Sequence, residues 1–325
     1  MSISPLLIIT LGDPFSINIE AIEALLPDIP VDQRTVLLGS WGQWSYQARN
    51  KDRSQFKFIA SWEEVSEGLH FWDLDQNKAS TDPKLLSPLE RGTMAVNPLE
   101  TLRTLPNPRD MAVLTCPIDK YACHEAGFKF PGQTEFFEDL AGEQGIMILS
   151  GPKLKVGLVT NHLALRDVSS KISQELIQKK FRLMHHALKS IYKKPQTKIT
   201  ITGLNPHCGD QGMFGNEDRE IITPAVDGLK TEFDDDVNGP APADTTFFRC
   251  YQGDCDGVLA MYHDQGLGPL KTVHFYDAVN ITGGLPFLRV SPDHGPASDK
   301  YGTGEANLLS FREALNHCLR YLGHG

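Results

Sequence analysis

Three short apolar runs in this chain end on a histidine. They are Val156-Gly-Leu-Val-Thr-Asn-His162, Ile199-Thr-Ile-Thr-Gly-Leu-Asn-Pro-His207 and Val258-Leu-Ala-Met-Tyr-His263. Such runs read as buried parallel strands, and in an open parallel sheet ligands bind beyond the carboxyl ends of the strands. Three imidazoles at three such ends can converge although they lie far apart in sequence. Three neutral nitrogen donors with positions left open make a catalytic divalent metal site. A lone histidine of this kind is more often a satisfied structural residue. Three together favour His162, His207 and His263 as metal ligands. Zinc is the first expectation for this set, with cobalt and magnesium as alternatives. His70, His124, His185, His186, His317 and His324 have no such placement and read as surface or packing residues.

Glycines and acids surround these histidines. The segment Asn205-Pro-His-Cys-Gly-Asp-Gln-Gly-Met-Phe-Gly215 is too rich in glycine for a long helix or strand and reads as a tight loop that brings backbone close to a ligand. Asp264, next to His263, is placed to orient an imidazole or to move a proton, with a salt bridge or turn as the competing role. Asp244 and Lys120 are further candidates for the general base. Lys271, Asn280 and Arg289 recur at intervals of nine. They offer a point charge, an amide and a planar fork, which suit carboxylate or phosphate.

The elements that must position these groups alternate. Leu6–Leu11, Thr35–Leu38, Phe56–Ala60, Ala112–Thr115, Gly145–Leu149, Lys155–Thr160, Lys198–Thr202 and Gly257–Tyr262 read as strands. Helical patterns cover Ile17–Leu26, Trp62–Leu69, Leu89–Leu105, Thr134–Ala141, Val168–Tyr192, Asn216–Gly228 and Glu305–Leu322. Alternation of this kind predicts an α/β fold with a largely parallel sheet. Thr231–Asp244, with three consecutive aspartates and then Gly-Pro-Ala-Pro, reads as a loop whose acids are solvated. A chain of 325 residues suits two domains. No flexible linker announces a boundary between them.

Composition narrows the function classes. Charged residues make up 22% and hydrophobic residues 40%, a globular mixture. The net charge of −10 gives no global reason to seek nucleic acid or an anionic membrane. No apolar run approaches the roughly 20 residues of a membrane span. Met1-Ser2-Ile3-Ser4-Pro5 lacks the basic flank of a signal peptide, so a cytoplasmic location is expected. The six cysteines contain no C-x-x-C pair and read as buried or inert thiols.

Taken together, these segments resemble the 4-hydroxythreonine-4-phosphate dehydrogenase (PdxA) family of vitamin B6 synthesis. The matching stretches are Val159-Thr-Asn-His-Leu-Ala-Leu-Arg-Asp167, Gly203-Leu-Asn-Pro-His-Cys-Gly209, Pro242-Ala-Asp-Thr245, Ala260-Met-Tyr-His-Asp-Gln-Gly-Leu267, Asn280-Ile-Thr-Gly-Gly-Leu-Pro-Phe287 and Asp293-His-Gly295. The resemblance implies a two-lobed α/β/α fold, similar to isocitrate and isopropylmalate dehydrogenases, with the active site in the cleft between lobes. It implies 1–130 plus about 280–325 for one lobe, and about 131–279 for a second that carries the metal ligands and dimer contacts. It implies a homodimer with the site near the interface, and His162, His207 and His263 as metal ligands, some reaching across the dimer. Gln133, Thr134, Lys271, Asn280 and Arg289 then correspond to substrate-binding positions. NAD lies along the loop Asp293, His294 and Gly295 rather than on a G-x-G-x-x-G turn, which this sequence lacks. The implied reaction is metal-dependent, NAD-linked oxidation and decarboxylation of 4-phosphohydroxythreonine or a related phosphorylated hydroxy acid.

Two departures from the family pattern touch the expected site. The family's T-x-G-D-P-x-G-I-G-P-E reads Thr10-Leu-Gly-Asp-Pro-Phe-Ser-Ile-Asn-Ile-Glu20 here, and its G-H-T-E-F reads Gly132-Gln-Thr-Glu-Phe136. They leave two alternatives open: a paralogue that oxidises another hydroxy acid or a dihydrodiol, and a non-catalytic metabolite-binding protein. The intact histidine triad argues against the second.

Overall fold

A computed structural model describes residues 5–75, 81–106 and 111–324. The reading of Met1–Ser4 lies outside them. The chain divides into two compact units, Met1–Gly142 with Pro286–Gly325, and Glu143–Leu285.

The first unit opens with β1 (Leu6–Thr10), α1 (Asn18–Leu25), β2 (Arg34–Gly39), α2 (Trp41–Gln47), β3 (Lys57–Ile59) and β4 (Leu69–Asp73). It continues with α3 (Pro88–Thr101), β5 (Met111–Thr115), α4 (Lys120–Glu125) and α5 (Gln133–Ala141). The second unit holds β6 (Ile146–Ser150), β7 (Lys155–Leu158), α6 (Leu165–Lys171), α7 (Gln174–Tyr192), β8 (Ile199–Thr202) and α8 (Thr223–Phe233). It ends with β9 (Val237–Ala241), α9 (Ala243–Tyr251), β10 (Gly257–Ala260), α10 (His263–Val273) and β11 (Val279–Gly283). The chain then returns to the first unit through β12 (Leu288–Pro292) and α11 (Leu309–Leu322).

Strands of the first unit run in the order β3-β4-β2-β1-β5-β12, all parallel. Those of the second run β11-β6-β7-β10-β8-β9, with β6 antiparallel to both β11 and β7 and the rest parallel. The α/β class expected from the alternation holds. β5 and β10 are buried at every position, as strands covered on both faces must be.

Helices cover these sheets through apolar stripes. On α7, Ile177, Phe181, Met184, Leu188 and Ile191 recur every three or four residues, and Ser173 caps the start by accepting from the Leu176 amide. The stripe packs on β6, β7, β10 and β11. α3 starts with a reciprocal Ser87/Glu90 capping box. It lies so close to α4 that a side chain at Gly92 would collide with the Ala122 carbonyl.

Several expectations need correction. Trp62–Leu69 is not a helix; a single short turn there leads into β4, whose His70 and Asp73 disguise it in the sequence. Val168–Tyr192 is two helices, because Ile172 and Ser173 are extended. The stretch Thr231–Asp244 contains the end of α8, all of β9 and the start of α9. Asp236 there is no solvated acid, since it accepts from His185 Nε2 at 2.8 Å and from the Thr197 amide at 3.3 Å. α5 belongs to the first unit, where Phe137 packs edge-on against Phe287. Cys250 and Cys255 are not inert thiols but a disulfide closing the turn between α9 and β10, with Cα atoms 4.8 Å apart.

Candidate active site

In the second unit, two of the three histidines come together. Beyond β7 and β10 the chains stay paired. The Val159 amide donates to the Ala260 carbonyl, and Thr160 donates to the Met261 carbonyl through both its amide and its hydroxyl (3.2 and 2.8 Å). His162 and His263 leave this paired end two residues later, with ring centroids 5.6 Å apart. His263 is the first residue of α10, and its Nδ1 lies 2.7 Å from Asp264 Oδ1. A carboxylate there keeps the proton on Nδ1 and leaves Nε2 as the free donor, the tautomer a metal ligand requires. Beside His162, the buried Oδ1 of Asn161 has no hydrogen-bond partner.

His207 is held differently. It opens a left-handed turn in which His207, Cys208, Gly209, Asp210 and Gln211 have φ of 52, 55, 80, 40 and 56°. Left-handed residues other than glycine cost about 1–2 kcal/mol each, so surrounding structure must impose such a run. Asp218 does part of this. Its buried carboxylate accepts from the amides of Leu204 and Asn205 (2.8 and 3.0 Å), while Glu217 accepts from the Asn205 side chain at 2.8 Å. The His207 ring is exposed, 6.5 Å from that of Phe214. Among the described residues of this single chain, no three histidine, cysteine or acidic side chains form a metal-holding group. The pair His162–His263 with the orphaned Asn161 oxygen fits part of a divalent-ion site. The chain by itself does not bring His207 to it.

The two candidate acids share a groove. Asp244, in the first turn of α9, and Asp264 line a cavity of about 610 Å³ together with Gln265, Phe247, Phe248, Tyr251, Pro269 and Val273. Lys271 is in the last turn of α10. Asn280 is half-buried in β11, and its Oδ1 is a buried acceptor without a partner.

In the first unit, Arg289 of β12 is 3% exposed. Its Nε and Nη2 donate to Thr115 Oγ1 at 3.1 and 2.8 Å, and Nη2 donates to Gln133 Oε1 at 3.1 Å. Burial pushes the guanidinium down to about 10, with Glu135 opposing the shift. Gln133, first residue of α5, donates in turn from Nε2 to the Cys116 carbonyl at 3.0 Å. Thr134 follows it, half-buried, and Lys120 is exposed at the start of α4. Asp293, His294 and Gly295 follow β12. His294 packs against Phe311 with a buried, unpartnered Nε2, and Gly295 has open space where a side chain would be.

The departing loop Phe15–Glu20 is knit to both of these places. Asn18 Nδ2 donates to the carbonyls of Leu11, Asp13 and Pro117 (3.0, 3.3 and 2.9 Å), and the Ser16 hydroxyl to that of Asp13. The Ile17 amide donates to the Pro296 carbonyl, and Ser298 to that of Phe15. Asp13 is itself buried and paired with Arg91 at 3.2 Å. Burial nevertheless raises its carboxyl above the ordinary value against the pull of Arg91. The sequence hinted at this pair only through Gly12-Asp13-Pro14, where Gly12 at φ +64° lets the Pro117 carbonyl approach.

A family model described as pyridoxal phosphate biosynthetic protein PdxA matches residues 45–318. The chain belongs to the PdxA family. A 4-hydroxythreonine-4-phosphate dehydrogenase of Geobacter metallireducens is 38% identical over 319 residues, covering 96% of this chain and 94% of the relative. A solved structure of the Klebsiella pneumoniae enzyme of that name superposes with a TM-score of 0.80 at 32% identity, over 99% of this chain and all of the other. A beta-decarboxylating dehydrogenase of Thermococcus kodakarensis, 15% identical over 98% of this chain and 84% of its own, shares the fold at a TM-score of 0.51. The motif-based resemblance therefore holds. As a PdxA family member whose relatives are dehydrogenases, the chain is an oxidoreductase.

Proposed function

We propose that the chain catalyses metal-dependent, NAD-linked oxidation and decarboxylation of 4-phosphohydroxythreonine or a closely related phosphorylated hydroxy acid, as a cytoplasmic enzyme of pyridoxal phosphate synthesis. The observation that carries this reading is the His162–His263 pair at adjacent strand ends, in a chain of the PdxA family. A divalent ion, zinc first, held by His162 and His263 would supply positive charge that lowers the pKa of a substrate hydroxyl, and NAD at Asp293–Gly295 would supply the hydride acceptor.

The chain's own residues bind and position. His263 offers Nε2 because Asp264 holds the proton on Nδ1. Asp244 and Asp264, on the wall of one groove, are the candidates to take the hydroxyl proton, with Lys120 as the alternative. Arg289 and Lys271 hold anionic groups of the substrate; Gln133 accepts from Arg289, and Thr134 follows Gln133 in α5. The orphaned Asn280 oxygen accepts from a substrate hydroxyl or amine. Asp293, His294 and Gly295 receive NAD, and the open space at Gly295 leaves room for close approach. We assign the chain to a homodimer whose second copy brings His207 to the His162–His263 pair. Exposed Phe248 on α9 and Phe275 and Tyr276 after α10 support such self-association.

The reading is tested by following NADH formation from 4-phosphohydroxythreonine and a panel of related hydroxy acids, with and without added divalent metal. Metal-stimulated NADH from the phosphorylated substrate is expected. No NADH from any acid with metal present would refute it. A preference for another hydroxy acid is the second reading, favoured by Ser16, Asn18 and Gln133 where the family pattern has glycines and histidine.

A further inference from the structure

At the end of β8 and β10 the backbone ladder stops and a side chain continues it. The last paired residues are Leu259 and Ile201. Just beyond, Gln265 in the first turn of α10 uses both ends of its amide. Its Oε1 accepts from the Met261 amide at 2.7 Å and from the Thr202 hydroxyl at 2.9 Å, and its Nε2 donates to the Gly203 carbonyl at 2.8 Å. The Met261 carbonyl, on the other side, accepts from Thr160. A continuous set of hydrogen bonds therefore crosses the exits of β7, β10 and β8, ending two residues short of His162, two short of His263 and four short of His207.

The residue type follows from this geometry. A primary amide is planar and carries a donor and an acceptor, so it can stand in for a peptide group where two diverging strands no longer reach each other. Glutamate has no donor for the Gly203 carbonyl, asparagine is a methylene shorter, and an apolar side chain leaves all three groups without this partner. The need is sharpest on the β8 side. The segment it grips leads directly into the left-handed turn of His207, whose strained dihedrals persist only if the entry is fixed. Asp218 fixes that entry from its own side of the loop; Gln265 joins it to the element that begins with His263.

We infer that Gln265 is a positioning residue that ties the entry of the His207 turn to the sheet end carrying His162 and His263, so that it sets where the turn presents His207 to the pair of a second copy and governs divalent-ion affinity without touching the ion. The part about the ion rests on the proposed metal reading. The test compares Gln265→Met with His162→Ala and His263→Ala, and uses Thr202→Val as a milder variant in case the first does not fold. Zinc alone is titrated by calorimetry into metal-free protein, and hydrogen exchange is followed over residues 203–212 of the same metal-free samples. Gln265→Met is expected to weaken zinc binding by about tenfold or more, with faster exchange over 203–212 and a smaller effect in the same direction from Thr202→Val. If the histidine variants lose zinc while Gln265→Met binds within twofold of wild type, the inference is overturned and the metal reading stands. If the histidine variants bind zinc normally, the metal reading fails, and exchange alone decides. Faster exchange over 203–212 in Gln265→Met then upholds the positioning of the turn, and unchanged exchange overturns it.

Discussion

Replacing Gln133 with leucine tests how Arg289 is kept in place. Leucine lacks the terminal amide, so the change removes two hydrogen bonds, the one Arg289 Nη2 makes to Oε1 at 3.1 Å and the one Nε2 makes to the Cys116 carbonyl at 3.0 Å. A hydrogen bond to a charged group contributes roughly 1.5–3 kcal/mol and a neutral one roughly 0.5–1.5, the larger values applying where the partner stays buried. Arg289 and Cys116 are both buried, and burial already holds the guanidinium down to about 10. The expected loss is therefore about 2–4 kcal/mol, or roughly 5–12 °C in melting temperature for a unit of this size. The assay is calorimetric melting of the metal-free protein. Gln133→His serves as the control, since an imidazole supplies one acceptor and one donor and should retain most of the stability. A leucine variant that melts within 1 °C of wild type, or a histidine variant that melts as low as leucine, would refute the bridging role.

Four further outcomes are expected. Arg289→Ala should lower kcat/KM by roughly two to three orders of magnitude on a phosphorylated substrate and by less on a phosphate-free analogue; equal losses would mean that Arg289 holds structure alone. Purified protein should bind about one divalent ion per chain, and His207→Ala should weaken that binding at least tenfold in equilibrium dialysis; full occupancy after loss of all three histidines would end the triad assignment. Asp13 has a folded-state pKa raised by burial, so its stabilising contribution is complete below the unfolded value near about 4 and is lost as pH rises through the folded one. Asp13→Asn should therefore gain on wild type in urea midpoint from pH 4 to 7, and a constant difference would contradict the shift. Burial pushes the Cys123 thiol up to about 12, and Cys116 and Cys318 are raised as well, so iodoacetamide at pH 8 should leave all three unlabelled until the protein is denatured.

What could be read from the sequence follows from which residues needed company. β1, β5 and β10 are almost wholly apolar because both faces are covered, and that pattern survives in one dimension. β9 and β12 do not show it. β9 carries Gly239 and Pro240 at the end of its sheet, and β12 buries Arg289 and Ser291 among its apolar residues. α10 begins on the residue that reads as a strand's last and contains Gly266, Gly268 and Pro269; Leu267 and Leu270, packed on the core, hold it. The same logic separates the histidines. His162 and His263 are legible because adjacent parallel strands bring their ends together by register. His207 depends on a left-handed turn that no local pattern announces, and on a grip supplied by Asp218 and Gln265. The Cys250–Cys255 bridge is not legible in the sequence because its spacing matches no motif; only the turn between α9 and β10 brings the two together.

The two departures from the family pattern, distant in sequence, act on consecutive residues. Gln133 donates to the carbonyl of Cys116, and Asn18 donates to that of Pro117. Both carbonyls follow β5, whose last residue, Thr115, accepts from Arg289. Glycines in the β1–α1 loop would leave this stretch gripped from the Gln133 side and by the Asp13 amide. Asn18 adds a side chain that ties Leu11, Asp13 and Pro117 into one knot, and Ser16 closes the turn beneath it. The loop so tied also touches Pro296 and Ser298, immediately beyond the Asp293–Gly295 segment proposed to receive NAD. The exchange of glycine for side chains that hydrogen-bond thus removes backbone freedom where Arg289 and the 293–298 loop meet the same support. On the proposed reading, an altered substrate preference and a stiffer site would be one physical change, because residues that set Arg289 from one side and the 293–298 loop from the other share a single hydrogen-bonded frame.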